Sequence, residues 1–310
     1  MLLQNPWWRD KTAIDKDEKI EEALSKVPIV SYEFLNKSNL IILGPRQVGK
    51  TTMLKFFVRN LLQKGINSRN VLYFSCEPLK DKNEIITLLT TLEKISPEGQ
   101  KFVFLDEITT VKNWEHAIKF FLDSPLKKQN IVVVTGSNAL FLKHGAERMP
   151  GRDVNVLLDL PLNFREFLLK FGTQELRSAL SSLKLNYGEL SAANVSSACR
   201  ELISFSPEIE KAFRTYVKTG GFLKAICEYR ETGVIKPSTY EIYVNWILGD
   251  LNKISKSEST FRSVMQAIVR NYGNPTSYLS IAKEMEIPSH VTVTDYLCDI
   301  QDLLLANSLC

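Results

Sequence analysis

The sequence predicts a parallel α/β domain followed by an all-helical region. Between residue 36 and about residue 160, short apolar runs alternate with segments of helical period, the pattern of a parallel sheet covered by helices. A glycine-rich segment follows the first apolar run directly. Beyond Pro161 only helical periodicity is found, and residues 276–310 resemble a helix-turn-helix unit.

The core elements are predicted from hydrophobic periodicity. Strands are expected at Leu40–Leu43, Val71–Phe74, Phe102–Leu105, Ile131–Val134 and Val154–Leu158. Helices are expected at Thr52–Lys64, Glu84–Ile95 and Trp114–Leu122. Ahead of the core, apolar residues at helical spacing predict one short helix that ends before Pro28.

The helical region is predicted to hold several short helices. The candidates are Asn163–Lys170, Leu176–Leu185, Val195–Phe205, Glu208–Lys218, Phe222–Arg230, Tyr240–Ile254, Phe261–Tyr272, Ser280–Ile287 and Val291–Leu304. We therefore expect an N-terminal arm over residues 1–35, a core over 36–172, a helical domain over 173–272 and a C-terminal unit over 273–310.

The strongest motif lies between the first strand and the first core helix. It has the pattern G-x-x-x-x-G-K-[ST], and the residues expected to contact phosphate are Gly44, Pro45, Arg46, Gln47, Val48, Gly49, Lys50, Thr51 and Thr52. Glycine lets the backbone N–H groups approach the phosphates closely, and the helix dipole favours negative charge there. We expect Lys50 to reach the β- and γ-phosphates and Thr51 to bind Mg²⁺. The motif predicts a nucleoside-triphosphate site.

Two carboxylates follow the third strand. Asp106 and Glu107 come directly after Phe102–Leu105, and strand ends of this kind face the ligand crevice of a doubly wound sheet. We expect Asp106 to belong to the Mg²⁺ shell and Glu107 to orient and polarise the attacking water. The tandem favours hydrolysis over phosphoryl transfer to a small metabolite.

Further polar residues are candidates for sensing the γ-phosphate. Ser137 and Asn138 follow the fourth strand, although Gly-Ser-Asn is also ordinary turn chemistry. An arginine could stabilise charge on the transferring phosphoryl group, in cis or from a neighbouring subunit. Arg152 is preferred for this role over Arg148 and Arg46.

Composition sets broad limits. The 310 residues carry 39 basic and 35 acidic side chains, so the net charge of +4 permits a nucleic-acid partner without indicating one. No apolar stretch approaches the roughly 20 residues of a membrane span. The five cysteines are scattered without a C-x-x-C pair, which argues against a zinc site or a disulfide framework. A cytoplasmic location and no membrane association are expected.

Several segments together resemble the archaeal-type P-loop ATPases of the STAND/AAA+ group, in the MNS clade. The matching segments are Asn5–Trp8, Gly44–Thr52, Phe104–Ile108 with Trp114 and Lys119, Thr135–Ser137, Gly151–Arg152, Leu160–Phe167 and Thr219–Phe222. The resemblance spans most of residues 5–305.

The resemblance implies a RecA/AAA+-like ATPase core, then a helical lid and a winged-helix domain. It also implies Mg²⁺-dependent ATP hydrolysis with the residues assigned above. The family usually has proline after the Gly-Gly-x of the lid, whereas Leu223 stands here. Many relatives continue into a nuclease-like domain. The sequence given ends at Cys310, and we assign it no nuclease activity.

The C-terminal unit could contact DNA or a protein. Its second helix, Val291–Leu304, is the one that enters the major groove in DNA-binding versions. It carries three aspartates and no lysine or arginine, which argues against phosphate contacts and favours protein docking or internal packing. Whether the chain forms a homo-oligomer is left open by the sequence.

The tryptophans also allow two interpretations. Trp7 and Trp8 could stack on bases or anchor a partner, but residues of this kind more often pin an arm to the core. Trp114 and Trp246 lie on apolar helix faces and are expected in cores.

The favoured function is ATP hydrolysis that moves the helical and winged-helix parts against the core. The alternative is a slowly hydrolysing ATP-dependent switch that regulates a DNA or protein contact. A small-molecule kinase is disfavoured because no acceptor lid follows Glu107. ATP is favoured over GTP because a guanine-reading N-K-x-D segment is missing.

Overall fold

The core is a five-stranded, fully parallel sheet. The computed structural model describes residues 1–28, 38–125, 130–136, 154–183 and 191–306. The strands are β1 Asn39–Leu43, β2 Val71–Ser75, β3 Lys101–Asp106, β4 Asn130–Gly136 and β5 Val154–Leu158. Their order across the sheet is β2-β3-β4-β1-β5. All five predicted strands are confirmed, with shifts of one or two residues at their ends.

The strand register brings three carboxyl ends together. Leu43 of β1 is opposite Gly136 of β4, and Leu105 of β3 is opposite Val134 of β4. Because β4 lies between β1 and β3, polar residues that follow all three strands meet at one edge of the sheet. The fully buried β3 and β4 read as continuous apolar runs, as expected for a sheet covered on both faces.

Four helices accompany the sheet and the segment before it. They are α1 Glu18–Lys26, α2 Lys50–Gln63, α3 Lys82–Ile95 and α4 Trp114–Asp123. The helix predicted to begin at Thr52 begins two residues earlier, directly after the left-handed Gly49. A capping box between Asp81 and Glu84 explains why α3 begins earlier than its apolar periodicity suggests.

The N-terminal arm docks on edge strand β2. The indole N–H groups of Trp7 and Trp8 each donate to the Val71 carbonyl at 2.9 Å, and both rings are buried. A sheet edge leaves backbone groups unpaired, and the arm satisfies several of them here. The interpretation of these tryptophans as pins for the arm is confirmed.

Every described element after β5 is a helix. The helices are α5 Phe164–Phe171, α6 Gln174–Ser182, α7 Ala192–Leu202, α8 Ser206–Thr219, α9 Leu223–Thr232 and α10 Pro237–Lys253. The helix predicted from Tyr240 begins at Pro237, because proline is well suited to the first helical position. Trp246 of α10 and Trp114 of α4 are buried, as predicted.

The last three described helices are α11 Glu258–Arg270, α12 Tyr278–Glu284 and α13 His290–Asp302, of which α12 and α13 lie in the predicted C-terminal unit. The hydroxyl of Ser289 accepts from the Thr292 N–H, so Ser289 is the N-cap of α13 as expected. The helix predicted to reach Ile287 ends at Glu284, and Glu286 has a left-handed φ of 53°. No described residue after Leu158 is in a strand, and the winged-helix assignment therefore stays a prediction.

Most of the buried apolar residues that the structure describes belong to three clusters. The largest joins the arm, the sheet and α2–α4. A second includes Phe167 of α5 with Ile226 of α9, and a third joins Phe261 of α11 with Ile300 of α13. Helix α5 therefore packs with the helical region, and α11 packs with the C-terminal helices. The domain limits at residues 172 and 272 stay predictions. Among the described residues no helix is long and apolar enough to cross a bilayer.

A pair of glycines joins the helical region to the end of the core. Gly221 has a left-handed φ of 77°, and its carbonyl accepts from the Leu162 N–H at 3.0 Å. A Cβ on Gly221 would lie 2.2 Å from the Leu162 carbonyl oxygen. Two segments of the family resemblance, Leu160–Phe167 and Thr219–Phe222, thus meet through their backbones.

We predict that Gly221→Ala destabilises the fold strongly. A left-handed alanine costs about 1–2 kcal/mol, and overpacking against Leu162 adds roughly 1–3 kcal/mol. Gly233 is a matched control, because its φ is 76° and nothing lies within 4 Å of an added Cβ. Urea unfolding should therefore show a clearly larger loss for Gly221→Ala than for Gly233→Ala. Equal losses would mean that the Leu162 contact is not tight.

Candidate functional site

The glycine-rich loop occupies the turn between β1 and α2. Gly49 has φ 105°, a conformation that L-residues with side chains rarely adopt, and it directly precedes the first turn of α2. At the start of the loop, a Cβ on Gly44 would lie 2.1 Å from the Asp159 carbonyl oxygen. Both glycines are therefore required by the backbone path, and the N-terminus of α2 opens toward the loop as an anion site.

Lys50 points back into this loop. Its side chain is buried, and Nζ donates to the carbonyls of Gly44 at 2.9 Å and Pro45 at 2.7 Å. Burial lowers the pKa of the ammonium, while the nearby carboxylates of Glu107 and Asp159 act in the opposite direction. An anionic ligand in the loop would compensate the buried charge.

The loop and the third strand meet at a hydrogen bond. The Thr51 hydroxyl donates to Asp106 Oδ2 at 2.7 Å, and the Thr135 hydroxyl of β4 donates to Asp106 Oδ1 at 2.5 Å. Asp106 is 3% exposed, so its orientation is fixed by these donors. Thr135 was not predicted as a site residue, although it precedes Gly136 in a segment of the family resemblance.

The donor set at this point fits a magnesium ion. A hydroxyl and a carboxylate are hard oxygen ligands, and Mg²⁺ in nucleotide sites is held by one or two carboxylates together with substrate phosphates. Within the described ranges no group of three or more His, Cys, Asp or Glu side chains could hold a metal on its own. Thr51 and Asp106 could therefore bind Mg²⁺ only with a ligand in the loop, as the sequence predicts.

Glu107 follows Asp106 in a strained conformation. Its φ is 54° and its ψ 41°, in the left-handed region that a residue with a Cβ adopts only at some energetic cost. Its N–H contacts the Thr135 hydroxyl at 3.4 Å. This turn directs the chain so that Glu107 lines the same cavity as the loop.

The cavity above the loop has a volume of about 420 Å³. It is lined by loop residues Arg46–Thr52, by residues of α1 and by residues of α9. The wall residues, none of them predicted from the sequence, are Lys19, Glu22, Ala23, Lys26, Val27, Lys170, Leu223, Lys224, Cys227, Glu228 and Glu231. A volume in this range suits a nucleotide-sized ligand.

Asp159 is a second carboxylate beside the loop. It follows β5, and its Oδ2 is buried without a hydrogen-bond partner in the part of the chain that the structure describes. Burial raises the pKa of the carboxyl from 3.8 to about 6, although Lys50 opposes the shift and Glu166 adds to it. Sequence patterns gave no sign of this residue, since an aspartate between leucines ordinarily indicates an exposed turn.

We predict that Asp159→Asn stabilises the protein at neutral pH. Between about pH 4 and pH 6 the folded state binds more protons at Asp159 than the unfolded chain does. The free energy of unfolding therefore falls as pH rises through this window, by up to about 1.4 kcal/mol per pH unit. The advantage of the variant should appear as the pH rises through the window and vanish below pH 4. Urea titrations at several pH values would measure it.

The control is Glu98→Gln, which neutralises an exposed carboxylate. It should leave the pH profile of stability unchanged. A flat difference between Asp159→Asn and the wild type from pH 4 to pH 8 would contradict the assignment.

The remaining predicted residues have separate outcomes. Arg46 is exposed and lines the cavity, so it remains available to a bound anion. Ser137, Asn138, Arg148 and Arg152 lie outside the described residues, and their roles stay predictions.

Comparisons with known proteins agree with this geometry. A family model described as an AAA domain matches residues 36–168. A protein of Haemophilus influenzae without an assigned function is 26% identical over 278 residues, 86% of this chain and 60% of the relative. The uncharacterised protein MJ1544 of Methanocaldococcus jannaschii is 31% identical over 173 residues, 54% of this chain and 35% of the relative. The chain thus spans less than two thirds of either relative.

Solved structures resemble the chain only distantly. The Walker-type ATPase PABY2304 of Pyrococcus abyssi aligns with a TM-score of 0.49 and 16% identity over 95% of this chain and 89% of that one. The ORC2 protein of Aeropyrum pernix aligns with a TM-score of 0.42 and 14% identity over 96% and 86%. Likeness at this level says nothing about reaction or partner.

The sheet, the loop and the family match point to the same class of protein. Residues 36–168 match a model of an AAA domain, and the strands described among them form a parallel sheet with a G-x-x-x-x-G-K-[ST] loop after β1. The chain as a whole is this core with an N-terminal arm docked on its edge strand and helices after it.

Proposed function

We propose that the protein binds ATP with Mg²⁺ at the P-loop and hydrolyses it. The observation that supports this most directly is the 2.7 Å hydrogen bond between the Thr51 hydroxyl and Asp106 Oδ2. It joins the phosphate loop to the acidic strand end, beside a cavity that Glu107 also lines.

Each residue has a defined task in this proposal. The loop backbone from Gly44 to Thr51 and the Lys50 ammonium bind the phosphates, and walls α1 and α9 enclose the rest of the nucleotide. Thr51 and Asp106 would hold Mg²⁺, which when bound neutralises charge on the β- and γ-phosphates. Glu107 orients a water toward the γ-phosphate and accepts its proton. Ser137, Asn138 and Arg152 remain candidates for the γ-phosphate contacts.

The helical region offers a route for coupling to nucleotide state. Leu223 and Lys224 at the start of α9 line the nucleotide cavity. Just before them, Gly221 is bonded to Leu162 at the end of the core. A phosphate group that attracts Lys224 would therefore pull on the junction of Gly221 with Leu162, between the core and the helices. We propose that ATP binding and hydrolysis move α9, and with it the helical lid and the C-terminal unit.

The C-terminal unit is better suited to a protein partner than to DNA. Lys256 binds both Asp295 and Asp299 of α13, Arg262 binds Glu258, and Arg270 binds Glu284. Phosphate contacts need basic side chains, and α13, the helix that would enter a major groove, carries three aspartates and no lysine or arginine. The placement in the MNS clade and the winged-helix identity of the C-terminal unit are part of the same proposal.

The test is steady-state ATP turnover of the wild-type chain, measured alone and with double- or single-stranded DNA at two salt concentrations. A steady-state turnover rate of about 1 per second supports an ATPase motor. Stoichiometric ATP binding with much slower turnover, unmoved by either polymer, supports the alternative of an ATP-dependent switch that acts on a protein. No ATP binding at all would contradict both.

A further inference from the structure

The Asp106 carboxylate is held by a residue that the proposed mechanism does not use. Tyr73 lies on β2, the strand next to β3, and its hydroxyl donates to Asp106 Oδ2 at 2.9 Å. The same oxygen accepts from the Thr51 hydroxyl, and Oδ1 accepts from Thr135. The carboxylate therefore accepts three hydroxyl hydrogen bonds over its two oxygens, which hold its plane and direction.

The N-terminal arm holds the backbone of Tyr73. The Asn5 side chain spans this residue, because Nδ2 donates to the Tyr73 carbonyl at 2.9 Å and Oδ1 accepts from the Tyr73 N–H at 2.8 Å. Asn5 is fully buried. β2 is an edge strand, so both groups would lack a strand partner without the arm.

The arm also reaches the ring of Tyr73. Lys55 Nζ lies 4.6 Å from the ring centroid, and Asp17 Oδ2 binds that ammonium at 2.5 Å. Asp17 is the N-cap of α1, the helix that forms one wall of the nucleotide cavity. One tyrosine therefore connects the arm, the P-loop helix and the acidic strand end.

We propose that Tyr73 is a positioning residue for the Asp106 carboxylate, and that the N-terminal arm, through Asn5 and Asp17, holds Tyr73 in place. This inference rests on the proposed function, since it assigns Tyr73 to the shell behind a magnesium ligand. Donors of this kind orient ligating carboxylates, and their loss typically weakens metal affinity or activity about 10–100-fold. The segment Asn5–Trp8 then matters for the site as well as for stability.

The test separates nucleotide binding from its dependence on magnesium. Calorimetric titrations with the non-hydrolysable analogue adenosine 5′-(β,γ-imido)triphosphate are made in EDTA and at a series of Mg²⁺ concentrations. For Tyr73→Phe we expect a Kd in EDTA within about twofold of the wild type, because the P-loop is intact. The Mg²⁺ concentration at half-maximal effect should rise about 10-fold.

Two further variants test the role of the N-terminal arm and the specificity of the effect. Asn5→Ala should move the Mg²⁺ midpoint in the same direction without touching any site residue. Tyr296→Phe is the matched control: its hydroxyl accepts from the Ser257 N–H at 2.8 Å, and Lys256 Nζ lies 4.9 Å from its ring centroid. It removes an equivalent hydroxyl far from the site and should leave the Mg²⁺ midpoint unchanged.

Two outcomes overturn the proposal. The first is a wild-type Mg²⁺ midpoint in Tyr73→Phe. The second is an equal loss of affinity with and without Mg²⁺ together with a lower Tm, which would make the tyrosine merely structural. If the wild-type protein binds no nucleotide, or binds it with the same affinity with and without Mg²⁺, the proposed function itself is wrong.

Discussion

Lys50→Ala is expected to abolish measurable ATP binding, with the Kd raised at least about 100-fold. A charge-assisted hydrogen bond is worth roughly 1.5–3 kcal/mol, and an ammonium beside two phosphates makes more than one such bond. The side chain is already buried and folded back into the loop, where Nζ donates to the Gly44 and Pro45 carbonyls. Calorimetry with Mg²⁺ and ATP would measure the loss.

The control for this variant lies at the other end of the same helix. Lys64 is exposed at the C-terminus of α2, and Lys64→Ala makes the same change of charge away from the cavity. It should bind ATP as the wild type does. If Lys50→Ala folds normally and still binds ATP within about threefold of the wild type, the loop is not the phosphate site.

Glu107→Gln is expected to retain ATP and to slow hydrolysis at least about 100-fold. Removing a general base typically costs a factor of about 10²–10⁴ in rate. Glutamine preserves the size of the side chain and its place beside the cavity, but it cannot accept the proton of the attacking water. Single-turnover hydrolysis with excess enzyme would isolate the chemical step from product release.

A neighbouring carboxylate serves as the comparison. Glu77 follows β2 at the same edge of the sheet but is exposed and outside the cavity. Glu77→Gln should hydrolyse ATP at the wild-type rate. Equal turnover in Glu107→Gln and the wild type would remove Glu107 from the reaction and favour a different base.

The strands, the helices and the meeting of the loop with the acidic strand end could be predicted from the sequence. Apolar runs identify buried parallel strands because both faces of such a sheet are covered. The loop motif and the acidic strand end could be joined in advance, since carboxyl ends of parallel strands share one edge. The Thr51–Asp106 hydrogen bond shows that the two segments do meet at this edge, while the roles of both residues stay predictions.

Other contacts depend on long-range placement that periodicity does not encode. Tyr73 reaches Asp106 only because β2 lies next to β3 in the sheet. In the sequence this tyrosine is simply one more residue of an apolar strand. Helices α1 and α9 both line the cavity, although they are about 200 residues apart in the sequence. They meet where Cys227 Sγ lies 3.8 Å from the Lys26 carbonyl oxygen. Charged residues on these helices looked like ordinary solvated faces.

The hydrophobic pattern also could not predict which helices pack against one another. Helix α5 follows the last strand of the core directly, yet Phe167 packs with Ile226 of the helical region. Helix α11 precedes the turn that marked the C-terminal unit, yet Phe261 packs with Ile300. An amphipathic helix shows which of its faces is apolar without showing which neighbour covers that face.

The most direct test of a triphosphate seated on the loop is hydrogen exchange of the wild-type protein with and without Mg²⁺ and ATP. The backbone N–H groups of residues 44–52, all but Pro45, should exchange markedly more slowly when the nucleotide is present, because phosphate oxygens would accept from them. A peptide covering α3, a core helix that does not line the cavity, provides the internal reference and should be unaffected. Unchanged exchange over residues 44–52 at saturating ATP, or protection found only elsewhere, would contradict the assignment of this loop.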